Sequence, residues 1–181
     1  RVLFRSGLAG ARSGLFAEQI RVIGEMRNAE KRRGRTALAV RPRYGIWENV
    51  VGALSSGRDP VTREKRPGAD FQIVLQSFLQ IEEPYLHVVR PETGRWEYAG
   101  AVLGVRSCVA WVTWDAQYLG VPQRRRRIFL IADFAGYSSL EILFIPDCLQ
   151  GNPAPVGGTG ERIAEEIENR ADDPGGPLLL G

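Results

Sequence analysis

Pro122-Gln123-Arg124-Arg125-Arg126-Arg127-Ile128-Phe129-Leu130-Ile131-Ala132 is the stretch on which the reading of this chain turns. Four arginines run into five consecutive apolar residues. A short uninterrupted apolar run reads as a strand buried on both faces. Charged residues abutting such a strand cannot all point to water. In an extended segment Arg125 and Arg127 share one face and Arg124 and Arg126 the other. Upstream, Tyr85–Val89, Trp96–Val102 and Cys108–Trp114 are further strand candidates, and Asp115–Leu119 reads as a short helical turn. Tyr44-Gly45-Ile46-Trp47 reads as another strand, ending at Glu48-Asn49-Val50.

Two helices are expected around these strands. Ser13 is a suitable N-cap, and Leu15, Phe16, Ile20, Ile23 and Met26 recur at helical spacing. Lys31, Arg32 and Arg33 suit the negative end of the helix dipole, and Gly34 a stop, which predicts a helix over about 14–32. Residues 55–69 read as a loop. Asp70 is the expected cap of a second helix with Phe71, Val74, Leu75, Phe78 and Leu79 on one face. Helices alternating with short apolar strands predict an α/β layered fold. Residues 150–160 hold four glycines and two prolines, so about 150–181 reads as irregular, with one weak acidic helix over 161–170.

The 181 residues include 44% apolar and 25% charged residues, the composition of an ordinary globular chain. No run of 18 apolar residues predicts a membrane helix, and no apolar segment follows the basic N-terminus as a secretory signal would require. Cys108 and Cys148 cannot form a disulfide framework, so a reducing, cytoplasmic location is expected. His87 is the single histidine, and no metal site is expected. The net charge of +3 is unevenly spread: residues 1–43 carry +8, residues 44–140 carry +1 and residues 141–181 carry −6. Of 24 basic residues 22 are arginine, the residue suited to bidentate phosphate and base contacts. The first residue is Arg and the sole methionine is Met26, so the chain is expected to be part of a longer one.

Four segments in order carry a family resemblance: Arg12-Ser13-Gly14-Leu15-Phe16, Trp47-Glu48-Asn49-Val50, Asp115-Ala116-Gln117-Tyr118-Leu119-Gly120-Val121-Pro122-Gln123, and Arg124–Arg127. Over roughly residues 5–134 the chain resembles the later half of the catalytic domain of a DNA cytosine-5 methyltransferase. The resemblance implies a Rossmann-like, doubly wound α/β fold dependent on S-adenosylmethionine, here limited to the second half of its sheet. It implies residues 1–134 as the later part of the catalytic domain, and residues 135–181 as the start of a target-recognition region or a linker. Duplex DNA would be the partner, with a companion restriction endonuclease in some systems.

The family chemistry assigns roles. A cysteine thiolate adds to C6 of an extruded cytosine, and C5 then takes the methyl group. Negative charge builds toward N3 and O2. A carboxyl group can bond N4-H₂ and carry the proton at N3, and an arginine can stabilise O2. The resemblance implies Glu48 as that carboxyl, with Arg125 and Arg127 matching the family's two arginines. It implies Leu15 as a residue lining the methyl-donor site. Asn49 is expected to brace its loop, Asp115 to act as a local cap, and Trp96, Trp111 and Trp114 to be core or strand-face aromatics. The Phe-x-Gly-x-Gly and Pro-Cys-Gln motifs do not occur, and neither Cys108 nor Cys148 stands where the nucleophile should. The chain alone is therefore expected to be inactive. The competing reading is a basic nucleic-acid-binding module without chemistry.

Overall fold

The computed structural model describes residues 14–59, 61–119, 124–144 and 179–180. Helix α1 spans Gly14–Arg32, strand β1 Tyr44–Val50 and helix α2 Ala69–Leu79. Strands β2 (Ala99–Leu103), β3 (Cys108–Asp115) and β4 (Arg126–Asp133) follow, then helix α3 (Ser138–Phe144) and a two-residue strand β5, Leu179–Leu180. The sheet order is β1-β4-β3-β2-β5. Ser13, Gly120–Gln123, Cys148 and the expected acidic helix over 161–170 lie outside the described residues.

The α/β character stands, but the doubly wound sheet does not. Every strand pairing is antiparallel, whereas a Rossmann-like sheet is mainly parallel. The connections explain this. Only residues 104–107 separate β2 from β3, and Gly104 N donates to Ser107 O at 2.8 Å across that turn. Such a link suits an antiparallel pair; a parallel pair needs a crossover of a dozen or more residues.

Successive side chains along the strands face opposite layers. One face carries Trp47, Val109, Trp111, Ile128, Leu130 and Ala132 into the main core, against Phe71, Val74, Leu75, Phe78 and Leu79 of α2 and Ile23 of α1. All five α2 residues expected to be buried are buried. Phe71, Trp96 and Trp111 make edge contacts with centroids 5.4–5.8 Å apart, an arrangement that adds to plain area burial. The other face carries Ala101, Ala110 and Ile131 against Leu143 of α3. Helix α3 lies past the boundary expected at residue 134 and packs on the same sheet.

Three local expectations need correction. Asp70 is not the cap of α2; Gly68 holds that position with φ of 77°. A side chain there would meet Gly94 O at 2.6 Å, and Gly68 O accepts the Trp96 indole N–H at 2.9 Å. Asp70 is instead buried in the first turn. Residues 85–89 form no strand. Their backbone polar groups are met by glutamines: Gln72 and Gln80 donate to Val88 O and Leu86 O, and Gln76 accepts from Val88 N. Tyr85 consequently stands fully exposed. Finally, Leu15 and Met26 of α1 are exposed, while Ile23, Arg27 and Glu30 are buried. The end of α1 is as expected. Gly34 has φ of 81°, Gly34 N donates to Lys31 O, and Arg35 N reaches back to Glu30 O, which satisfies the last carbonyls of the helix.

Candidate functional site

Glu48 lies near the end of β1 and Arg127 near the start of β4, in adjacent strands. The register pairs Glu48 with Phe129 and Val50 with Arg127, so Glu48 and Arg127 are diagonal neighbours on one face. Their side chains form an ion pair, Arg127 Nε to Glu48 Oε1, at 2.9 Å. Residues 79 positions apart in sequence are thus brought together by strand register.

On its other flank β4 pairs with β3, which places Trp114 opposite Arg127 and Val112 opposite Phe129. Glu48, Trp114, Ala116, Arg125, Arg127 and Phe129 line an open hollow of about 410 Å³, within the size range of ligand sites. The arginine run divides as an extended chain should. Arg125 and Arg127 line the hollow. The Arg126 guanidinium lies 4.4 Å from the centroid of the Tyr98 ring. Arg124 is exposed, its Nε 4.0 Å from Asp115 Oδ2.

Asp115 holds the rim. Its Oδ1 accepts from Gln117 N at 3.3 Å and Arg125 N at 3.0 Å, while Ala116 N donates to Arg125 O. The carboxylate ties both ends of the β3–β4 connection and sets where Arg125 starts. Asn49 braces the other side locally, its Oδ1 accepting from Val50 N at 2.8 Å.

The structure does not bring Leu15 to this hollow. It sits in the first turn of α1 with 74% of its surface exposed. The described residues therefore do not build a methyl-donor pocket around it. Cys108 lies on β3 under α3, fully buried, with the Ser139 hydroxyl donating to its Sγ at 3.0 Å. Burial pushes its thiol up to about 12, so it stays protonated and is no nucleophile at neutral pH. Three lining residues, Trp114, Ala116 and Phe129, escaped the sequence reading. Phe129 continues the alternation Arg125, Arg127, Phe129, which could have revealed it. Trp114 was expected to belong with Trp96 and Trp111, and only strand pairing separates it from them.

No described helix is long and apolar enough to cross a membrane. No protein-family model matches the chain, and no solved structure does. Among curated proteins it is similar to a DNA N-6-adenine-methyltransferase of Escherichia phage P1, with 31% identity over 187 residues. The match covers 91% of this chain and 23% of the phage protein. The name of that relative does not carry the cytosine-5 specificity implied by the sequence resemblance. Over nearly all its length, this chain is related to about a quarter of a DNA methyltransferase.

Proposed function

We propose that the chain is the base-binding part of a DNA cytosine-5 methyltransferase, with duplex DNA as substrate. The observation that carries this reading is the Glu48–Arg127 ion pair in a hollow that Arg125 also lines. One carboxylate and two guanidinium groups offer one acceptor and two sets of donors. Cytosine presents the complement: a donor at N4 and acceptors at N3 and O2. Adenine presents a donor at N6, an acceptor at N1 and then a carbon, so guanidinium groups placed for O2 have no partner on that edge. The relative is named for adenine, but the name describes a protein of which the match covers 23%. It leaves the chemistry of the matched quarter open.

In this reading Glu48 takes up a proton from solvent as the base enters; one of its oxygens accepts from N4-H₂ of an extruded cytosine, and the other gives its proton to N3 as charge builds there. It takes that proton back when the adduct collapses. Arg127 and Arg125 donate to O2, holding the charge that addition at C6 places on the ring. Asp115 fixes the backbone of Arg125 so that its donors are aimed before the base arrives. The methyl donor of the parent enzyme would be S-adenosylmethionine, which supplies the transferred group. Leu15 would form one edge of its site, completed by another surface. The attacking thiolate is likewise assigned outside the described residues. Nothing in the hollow bears on a companion restriction endonuclease.

The test is the product. The full-length methyltransferase containing this chain is given duplex DNA and tritiated methyl donor, and the digested nucleosides are separated. Labelled 5-methylcytosine is expected, reduced about 10²–10⁴-fold by Glu48→Gln. A label found only on adenine, or an unaffected Glu48→Gln enzyme, overturns the assignment. The isolated 181 residues are expected to transfer no methyl group, because positioned donors do not replace the covalent step.

A further inference from the structure

We propose that Trp114 is the stacking surface for the extruded base, with Phe129 as its backing. This rests on the base-binding reading of the hollow and names the residue that holds the face of the base rather than its edge. The four tryptophans fall into two groups. Trp47, Trp96 and Trp111 are 8%, 3% and 1% exposed and belong to the sealed core. Trp96 and Trp111 are further tied by indole N–H bonds to Gly68 O and Glu97 O. Trp114 is only partly buried, and among the described residues its indole has no such tie.

Its position matches the chemistry. Trp114 stands directly across the ladder from Arg127, and Phe129 directly across from Glu48. The two rings lie 5.1 Å apart, tilted by 40°. The pair packs against the small buried cluster of Ala101, Ala110, Ile131 and Leu143 and also lines the hollow. An edge of charged hydrogen-bonding groups beside a fixed aromatic plane suits a flat, polar-edged ring. A base whose edge meets Glu48 and Arg127 lays its face along Trp114. Stacking on an aromatic side chain is tolerant of sequence and contributes substantially per base, so Trp114 supplies affinity and the charged pair supplies selection.

The burial of the other three tryptophans makes the test selective. The 181-residue chain is titrated at low salt with three ten-nucleotide single strands: all deoxycytidine, all deoxyadenosine, and an abasic strand of the same length and charge. Binding is read by anisotropy of a label on the strand, and stacking by quenching of tryptophan emission. The deoxycytidine strand is expected to bind and quench, and the abasic strand to bind without quenching. Trp114→Leu should abolish the quenching and weaken the deoxycytidine strand about 5–100-fold, leaving the abasic strand unaffected. Trp114→Phe should restore most of the affinity, which separates stacking from damage to the fold. Phe129→Leu should weaken binding less than Trp114→Leu. Equal quenching by the abasic strand, quenching that survives Trp114→Leu, or no binding of any strand overturns the proposal. Deoxyadenosine quenching and binding as well as deoxycytidine upholds stacking by Trp114 and overturns the cytosine reading of the hollow.

Discussion

The β1–β4 ladder carries an ion pair at each end, and the two are built differently. At one end Asp133 is fully buried. It accepts from Arg43 at 3.1 and 2.8 Å, from Ala135 N at 3.0 Å and from Ser138 N at 3.1 Å. The Ser138 hydroxyl stands 2.8 Å from the same guanidinium. Both carboxylate oxygens are committed, and the pair joins β1 to the start of α3. At the other end Glu48 is about half exposed and meets Arg127 through one oxygen, on the rim of a hollow. A carboxylate whose lone pairs are all used inside the protein contributes to the fold. One left with spare acceptor capacity beside a space of ligand size is available for binding. Each end pairs a carboxylate with an arginine; hydrogen-bond commitment separates them.

Paired substitutions break or sharpen that contrast. The largest effect expected is on turnover: Glu48→Gln lowers methyl transfer by the full-length enzyme about 10²–10⁴-fold, and Arg127→Ala about 10²–10³-fold. In urea unfolding of this chain, Glu48→Gln should shift stability by no more than about 1 kcal/mol, as for an exposed pair. Asp133→Ala should do the reverse. It strips a buried pair of one partner, which costs about 3–5 kcal/mol, and activity should fall only as the folded fraction falls. If the two variants destabilise the chain equally, the division into structural and functional pairs is wrong.

Acid gives the next largest effect. Burial works against the Asp133 carboxylate, but the Arg43 bonds and the amides of Ala135 and Ser138 outweigh it and hold its pKa below the ordinary value. Glu82 is held down by Arg27 and Lys31, and Glu83 by Ser107 and the amides of Val105 and Arg106, again against burial. A depressed folded-state pKa means that the unfolded chain takes up protons first as pH falls. The stabilisation is therefore complete above the unfolded values, about 4, and is lost as pH drops through the lower folded ones. Stability should be flat with respect to these three groups from neutral pH to about 5 and fall steeply below 4. Asp133→Asn should flatten that acid limb. A limb insensitive to Asp133→Asn would mean that the Arg43–Asp133 end is not held as described.

The residues show why some of this was legible in sequence and some was not. The strand over 128–132 follows from an uninterrupted apolar run and the face of α2 from local periodicity; burial matches all of these residues except Phe129, which lines the hollow. Glu48 and Arg127 were legible only through motif order, because nothing local brings residues 79 apart together. The antiparallel sheet depends on which connection is short, and the resemblance pointed elsewhere. Tyr85–Val89 has the composition of a strand, but Gln72, Gln76 and Gln80, four residues apart along α2 and its C-cap, took its hydrogen bonds. Arg27 has no apolar signal at all. It is buried because Glu82 meets its Nε at 2.8 Å and the Phe134 ring lies 4.9 Å from its guanidinium carbon, partners 55 and 107 residues away. Trp114 and Trp111 are chemically alike, and an odd separation of three residues along one strand sends them to opposite faces.

The smallest expected effects come from within the arginine run and test the same alternation. Arg126 faces away from the hollow, over Tyr98. Arg126→Ala should cost about 0.5–1 kcal/mol of stability, the range for an exposed cation–π contact, with turnover unchanged. Arg124 is 82% exposed on its side chain, and its Asp115 partner is already occupied by the amides of Gln117 and Arg125. Arg124→Ala should therefore alter stability by less than about 0.5 kcal/mol and leave turnover unchanged. Arg125→Ala, between these two in sequence, should lower turnover although its neighbours do not, because its side chain alone of the three lines the hollow. Measuring all three variants in one methyl-transfer series reads the period of two directly. A graded loss that follows the number of positive charges removed, rather than their face, would show the run to be an undifferentiated basic patch and would dissolve the distinction between the two ends of β4.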